Sequence, residues 1–244
     1  MHVLATVERV GLATVQDAGR PDATPIGVPR SGAWHRGCYR VATALVDRAP
    51  LPTTPAVELL SGELVLRARS GTAAAVTGPA RAWVNEASAP GGTAVGLSVD
   101  DVLTVRHDGP GPAYVALAGW HEPLVLGSAS TDTFSRLGGR VLAAGDDLSG
   151  FGDTAEVGSF ARPLPEPPRA LRVVAVAEGS DAPAPGRDPE WIVSSTARSG
   201  TRLVDAPAAG EGAGASRPMV VGAIQVTPAG EAIILGPDGG LTGG

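Results

Sequence analysis

The chain has 244 residues, 43% of them hydrophobic and 18% charged, with a formal net charge of −6 at pH 7. That length suits one large β domain or two small ones, no apolar run approaches the ~20 residues of a membrane span, and a net acidic chain lacks the clustered basic face that nucleic acid favours. All 19 basic residues are arginine, which excludes a Walker-type phosphate loop, a Schiff-base lysine and a biotinyl-lysine on this chain. A soluble protein with neither membrane nor nucleic-acid partner is expected, and any ATP or biotin chemistry must draw its key groups from another polypeptide.

Residues 1–9 enter directly into alternation, without a basic n-region, apolar h-region and cleavage site, so the cytoplasm is the expected compartment. Residues 3–10 read as the first strand. Next come Thr14-Val15-Gln16-Asp17-Ala18-Gly19-Arg20-Pro21 and Gly27-Val28-Pro29-Arg30-Ser31-Gly32-Ala33. They set a carboxylate, an amide and two guanidiniums among turn-forming residues, between a strand-like and a helix-like run. Such a block suits anion or amide recognition on a loop held by rigid elements. Equally, it suits a tight turn in which Asp17 and Arg20 satisfy local backbone groups. Trp34, Cys38, Val41, Ala42 and Leu45 then form the stripe of an amphipathic helix that Ser31 caps. Cys38 on that stripe reads as core rather than nucleophile, and as the single cysteine it allows no internal disulfide or Cys-rich zinc site.

Further β-like runs follow at 63–68, 73–77, 102–105, 113–118, 171–176, 222–226 and 232–235, separated by turn signals as in an antiparallel sandwich or barrel. Between them, Leu126-Gly127-Ser128-Ala129-Ser130-Thr131 reads in two ways. It is a cradle of backbone N–H and hydroxyl donors for a carboxylate or phosphate, or a Ser/Thr-rich turn capping the next element. Residues 162–168 are Pro-rich and read as a stiff connection, and 206–214 as a mobile loop. Thr196, Arg198 and Arg202 make a polar patch beside Gly200, or an exposed hairpin end. Gln225 lies inside an apolar run, where an unpaired amide costs ~1–3 kcal/mol, so it requires a partner from the backbone or from a ligand. Residues 239–244 offer no helix or strand to finish a domain: a frayed end, or a chain that stops early. His2, His35, His107 and His121 are scattered, without HExxH spacing, and no metal site is expected; there is no Gly-x-Ser-x-Gly elbow.

Taken in order, Thr14-Val15-Gln16-Asp17-x-Gly19-Arg20, Gly27-Val28-Pro29-x-Ser31-Gly32-Ala33, Val57-Glu58, Thr77-Gly78, Ala116-Leu117-Ala118-Gly119, Leu126-Gly127-Ser128-x-Ser130-Thr131, Gly145-Asp146-x-Leu148, Gly222-Ala223-Ile224-Gln225-Val226 and Thr242-Gly243-Gly244 resemble the second-subunit allophanate-hydrolase family of biotin-dependent carboxyltransferase type. That family includes the C-type component of ATP-dependent 5-oxoprolinase, an antagonist of a sporulation-kinase inhibitor, and part of the carboxyltransferase region of urea carboxylase. The resemblance covers residues 1–244 as one carboxyltransferase domain of C/D type, and it implies a mainly β, cyclophilin-like β-barrel with few helices. It further implies pairing with a first-subunit homologue, the B-type component of 5-oxoprolinase. With the A-type component, that pair couples ATP hydrolysis to the opening of 5-oxoproline into glutamate, with no cofactor bound covalently to this chain. Two alternatives stand beside it: carboxyl transfer with biotin supplied in trans, and non-catalytic pairing with a first-subunit kinase-inhibitor homologue. By the same resemblance Gln16, Asp17 and Arg20 are the expected catalytic residues. Ser31, Ser128, Ser130, Thr131, Arg198, Arg202, Gln225 and Asp238 are expected to bind a small amide or carboxylate. The chain departs from the family at Trp34-His35 in place of Met-Asp, Thr43 in place of Asn, Pro112 in place of Arg, and across 196–203 and 238–244, where it is also expected to end early. Scaffold residues survive better than polar ones.

Overall fold

The computed structural model describes residues 1–151, 191–204, 219–226 and 231–239. The chain divides into two compact units, Met1–Arg20 with Ser31–Pro165, and Pro21–Arg30 with Glu166–Gly244. In the first unit the elements are β1 (His2–Gln16), α1 (Arg36–Val46), β2 (Ala56–Ala68), β3 (Thr72–Thr77), β4 (Ala80–Val84), β5 (Ala87–Ala89), β6 (Ala94–Leu97), β7 (Val102–His107), β8 (Ala113–Leu117) and β9 (Asp147–Gly150). They form one antiparallel nine-stranded sheet in the order β5-β4-β7-β2-β8-β3-β6, with β1 pairing both β2 and β9. The protein is mainly β, and this sheet makes a nearly closed barrel of cyclophilin-like kind. The second unit holds a 3-10 helix at Pro21–Ile26 and β10 (Ile192–Ala197), β11 (Gly200–Val204), β12 (Ile224–Val226) and β13 (Ala232–Leu235), ordered β10-β11-β13-β12.

The long strands β1 and β2 frame the barrel: β1 pairs β2 and β9, and β2 pairs β1, β7 and β8. The first half of β1 pairs β9 and the end of β2, while Ala13 to Gln16 pair Leu59 to Ala56. Register shifts between Val7 and Arg9, Val10 and Leu12, and Leu12 and Ala13 are the bulges that bend the ribbon. Gly11 is required at this corner, since a Cβ there would lie 2.2 Å from the Ser61 carbonyl oxygen. The expected strand at 3–10 is therefore longer, because the bulges break its two-residue period without ending its pairing.

β8 shows why the helix sits where it does. All five of its residues are buried. Ala113, Val115 and Leu117 point into the barrel core with Leu4, Leu59, Leu66 and Leu103, and the alternate residues Tyr114 and Ala116 face α1. A strand covered on both faces follows from this two-residue alternation. α1 buries Cys38, Tyr39, Ala42, Leu45 and Val46 against a floor that includes Ala56, Ala73, Ala75 and Ala116, whose small side chains admit close approach. Helix and buried Cys38 agree with the expected stripe, but the cap does not. His35, not Ser31, caps α1, its Nδ1 accepting from the Cys38 N–H at 3.1 Å. Ser31 lies further upstream, in a turn of its own.

Expected strands at 63–68, 73–77, 102–105, 113–118 and 232–235 coincide with β2, β3, β7, β8 and β13, and the run at 222–226 with the shorter β12. The strand expected at 171–176 lies outside the described residues, as do the Pro-rich stretch 162–168, the loop 206–214 and residues 240–244. Among the described residues no helix is long and apolar enough to cross a membrane.

Candidate functional site

β1 ends on Gln16, and the chain turns at once through Asp17, Ala18 and Gly19. Asp17 is fully buried. Its Oδ1 accepts from the Gly19 N–H at 2.7 Å, from Ser128 Oγ at 2.7 Å and from Ser130 Oγ at 2.5 Å, and its Oδ2 accepts from the Ala129 N–H at 2.7 Å. The Asp17 N–H in turn donates to Ser130 Oγ at 3.0 Å, and the Ser130 N–H to Ser128 Oγ at 3.0 Å. The Ser128-Ala129-Ser130 run is thus a carboxylate cradle, and the carboxylate it holds is the protein's own Asp17. Charge-assisted bonds to a buried anion contribute ~1.5–3 kcal/mol each, which offsets its desolvation.

Arg20 extends the same hub. Its Nη2 donates to the Ser130 carbonyl at 2.5 Å, and its Nε makes a long 3.5 Å contact to the Val125 carbonyl. Gly138 closes over it: with φ of +67°, a Cβ there would lie 2.6 Å from Arg20 Nη2 and 2.7 Å from the Ser130 oxygen. Thr131 ties the cradle back to β1, its N–H and its Oγ1 both donating to the Val15 carbonyl, at 3.0 and 2.9 Å. Gln16 Nε2 donates to Thr14 Oγ1 and to the Thr131 carbonyl, each at 3.0 Å. Among the described residues its Oε1 is buried without a hydrogen-bond partner.

Ser31 begins the next stretch of the first unit and also reaches the hub. The Ala33 N–H donates to the Asp17 carbonyl at 2.8 Å. A Cβ on Gly32 would sit 2.7 Å from the Gly19 nitrogen and 2.8 Å from the Ala18 carbonyl carbon, so the Ser31-Gly32-Ala33 turn lies directly on the Asp17–Gly19 backbone. Both Ser31 and Gly32 are left-handed, with φ of 53° and 86°. For Ser31 that conformation is strained. Its side chain is buried and its Oγ, like Gln16 Oε1, has no hydrogen-bond partner among the described residues.

Beyond that turn, the chain enters α1 through a second buried carboxylate. Glu58 Oε2 accepts from the Tyr114 hydroxyl at 2.6 Å and from the Trp34 N–H at 2.8 Å, while the Tyr114 oxygen accepts from the His35 N–H at 2.7 Å. Tyr39 packs edge-on to Tyr114 with ring centroids 6.2 Å apart and donates its hydroxyl to the Thr54 carbonyl at 2.7 Å. Burial, reinforced by the Asp17 carboxylate, raises the Tyr39 phenol well above its ordinary value, and burial likewise raises the Cys38 thiol. Glu58 and Tyr114 fix the approach to the helix but were not among the expected site residues. The available signal was a carboxylate inside the apolar run Val57-Glu58-Leu59, which must find partners when buried.

Seven of the expected site residues, Gln16, Asp17, Arg20, Ser31, Ser128, Ser130 and Thr131, therefore converge in the first unit. For Asp17 and Arg20 the structure displays the tight turn in which both satisfy nearby polar groups. The remaining four belong to the second unit. Arg198 sits in the β10–β11 turn and forms a buried two-pronged pair with Asp238, Nε to Oδ2 at 2.8 Å and Nη2 to Oδ1 at 3.0 Å. Arg202 is exposed on β11 and pairs Glu231 at 2.5 Å. Gln225 is half-buried in β12 opposite Ile233. No cluster of His, Cys, Asp and Glu suited to a metal ion occurs among the described residues.

The profile of the family described as carboxyltransferase domain, subdomain A and B, matches residues 26–244. No curated protein matches the chain. Among solved structures it is similar to TTHA0988, at 29% identity with a TM-score of 0.87, over 99% of this chain and 50% of that one. It has the fold of part of the Kluyveromyces lactis urea carboxylase, at 24% identity and a TM-score of 0.74, over 99% of this chain and 25% of that one. For the K. lactis urea amidolyase the identity is 24% and the TM-score 0.74, over 99% of this chain and 17% of that one. The chain thus spans half the length of TTHA0988 and a quarter or less of the two urea proteins.

Proposed function

Because the chain belongs to the family of the carboxyltransferase domain, subdomain A and B, we propose that it is the acceptor-binding component of a biotin-dependent carboxyltransferase, active only together with partner polypeptides. The observation that carries this reading is the pair of buried polar atoms at the Asp17 hub that have no hydrogen-bond partner among the described residues, Gln16 Oε1 and Ser31 Oγ. An amide oxygen accepts and a hydroxyl donates, and one acceptor with one donor is what the N–H and C=O of a small amide require. Asp17, Arg20, Ser128, Ser130 and Thr131 act in this reading as positioning residues that hold Gln16 and the Ser31 turn. Biotin brought in trans would supply the activated carboxyl group, and Gln16 and Ser31 would hold the small amide whose nitrogen receives it. Without lysine the chain cannot carry the biotin itself, so a separate carrier and a biotin carboxylase supply it. A first-subunit homologue is the third partner. Urea, named for the K. lactis neighbour, is an acceptor of this chemical kind.

A second reading, the C-type component of an ATP-dependent 5-oxoprolinase, directs the same donor and acceptor at the lactam of 5-oxoproline. It is favoured by the meeting of the 14–20, 31–33 and 128–131 blocks at one hub, since those blocks carry the resemblance to second-subunit proteins.

One experiment tests both. The purified chain and its first-subunit homologue are supplied with biotin carboxylase, biotin carrier, ATP and labelled bicarbonate to follow urea carboxylation. In parallel they are given the A-type component of 5-oxoprolinase, ATP and 5-oxoproline to follow glutamate release. Carboxylation that falls ~10-fold or more in Gln16→Ala and in Ser31→Ala, the equivalent of one hydrogen bond of ~1.5 kcal/mol, is the expected result. Glutamate release with the same sensitivity moves the assignment to 5-oxoprolinase. Turnover in neither, or turnover indifferent to both variants, overturns the proposal.

A further inference from the structure

α1 begins on a residue whose capping power depends on a proton. At an N-cap the side chain must accept a hydrogen bond from the first turn, a task for which Asn, Asp, Ser and Thr are preferred. Here the cap is His35, and its Nδ1 accepts from the Cys38 N–H at 3.1 Å. An imidazole nitrogen accepts only while it carries no proton, so this bond requires the neutral ring with its proton on Nε2. The residue is only half-buried, so solvent can deliver a second proton.

The backbone leading into the cap is pinned amide by amide. The N–H groups of Ala33, Trp34 and His35 donate in turn to the Asp17 carbonyl at 2.8 Å, to Glu58 Oε2 at 2.8 Å and to the Tyr114 oxygen at 2.7 Å. These acceptors fix where His35 stands, and the helical bonding starts there, with the Tyr39 N–H on the His35 carbonyl at 3.1 Å. The elements packed against α1 bring few charges to it. β3 and β6 carry no ionisable side chain, and β8 brings Tyr114. β2 brings Glu58, while its Glu63 and Arg67 are taken up by Arg9 and Arg106 and by Glu8. On the helix itself stand Arg36, Cys38, Tyr39 and Arg40, and the charge of Asp17 acts on Tyr39. Besides His35, the groups of this set able to take up a proton on the acid side are Glu58 and Asp17, and neither caps the helix.

We propose that His35 is a proton-operated latch on the first turn of α1: neutral, it holds the turn closed, and protonated, it releases it. The sign follows from the geometry. Protonation puts an Nδ1–H against the Cys38 N–H, donor facing donor, and sets a positive charge on the helix end that already carries the positive pole of the dipole. The capped turn is therefore favoured above the ordinary histidine value of ~6.5 and loses its cap as pH falls below it, since the open turn takes up the proton freely. The release is local. Ala33 is tied to a backbone carbonyl, an acceptor that does not titrate, so the Ser31 turn stays in place while residues 36–38 fray. The latch depends on the cap alone and holds whichever reaction the site performs.

Native-state hydrogen exchange of the purified chain, followed by NMR at the Cys38 and Ala33 amides and corrected for the intrinsic pH dependence of exchange, tests the latch about one pH unit either side of that value. In the wild type, Cys38 protection is expected to fall at least ~5-fold on the acid side, the size of a lost cap, with Ala33 unchanged. His35→Asn supplies a cap that cannot be protonated, so its Cys38 protection is expected to stay within ~2-fold across the same range. His2, His107 and His121 are present in both proteins and cannot produce the difference. Wild-type protection that is equal on the two sides overturns the latch. An equal fall in His35→Asn also overturns it and assigns the pH dependence to Glu58 or Asp17. A fall at Ala33 as large as at Cys38 overturns the local release.

Discussion

Replacing Asp17 tests whether its carboxylate is the hub of the first unit. Asn is nearly isosteric, but its amide puts two donors where the carboxylate had acceptors. If its oxygen faces the Ala129 N–H, the NH₂ group confronts the Gly19 N–H and the two hydroxyls; if turned over, it confronts the Ala129 N–H. The hydroxyls of Ser128 and Ser130 rotate to accommodate either choice, whereas a backbone N–H cannot. One buried N–H is therefore orphaned whichever way the amide lies, a cost of ~1–3 kcal/mol. Losing the anionic acceptor weakens the surviving bonds as well, so Asp17→Asn should destabilise by ~2 kcal/mol. Asp17→Ala orphans both backbone N–H groups and should cost ~4 kcal/mol. Urea denaturation followed by tryptophan fluorescence reads the total, and hydrogen exchange at the Ala129 and Gly19 amides reads the hub directly. A loss below ~0.5 kcal/mol in Asp17→Asn, with Ala129 as protected as in the wild type, would refute the hub.

Two further outcomes follow from buried ionisable groups. Asp238→Asn leaves the Arg198 guanidinium buried without its anion and should destabilise the second unit by ~3–5 kcal/mol; hydrogen exchange along β11 measures it, and unchanged protection there would contradict the ion pair. Tyr39 has a folded-state pKa raised by burial and by Asp17, so its contribution to stability is complete below the ordinary tyrosine value of ~10 and is lost as pH climbs above it, where the unfolded phenol ionises and the folded one resists. Between pH 9 and 11 the wild-type urea midpoint should fall further than that of Tyr39→Phe, and parallel curves would show that Tyr39 is not the group responsible.

The barrel was legible where burial imposes a simple period. β8 and β3 read as continuous apolar runs because α1 covers one face and the core the other. β4, β5 and β6 did not, because residues 80–97 are rich in Ala and Gly, and their extension is imposed by β7 and β3 through register rather than by local preference. His35 took the cap from Ser31 because the Glu58–Tyr114 pair holds the backbone at Trp34 and His35, one turn later than a Ser31 cap requires. At the hub each half was readable and their union was not. A turn with a carboxylate and a cradle for a carboxylate stood in separate blocks, and no local pattern pairs Asp17 with Ala129, 112 residues away.

On the proposed reading, that pairing decides where recognition chemistry resides. With Asp17 seated in the cradle, the Ser128, Ser130 and Ala129 donors are already committed, and a ligand must be met by what the hub leaves over. The Ser31 conformation is among the things the hub sustains. A left-handed non-glycine residue costs ~1–2 kcal/mol, yet Ser31 cannot relax, because Gly32 rests on the Ala18–Gly19 backbone with no room for a Cβ and the Ala33 N–H is tied to the Asp17 carbonyl. Gln16 is held from the opposite side of the same residue, by Thr14 and by the Thr131 carbonyl. The turn built on Asp17 and the cradle around it thus keep in place one acceptor and one donor that have no partner among the described residues. Altering Asp17 should change binding through Gln16 and Ser31 without Asp17 itself touching the ligand.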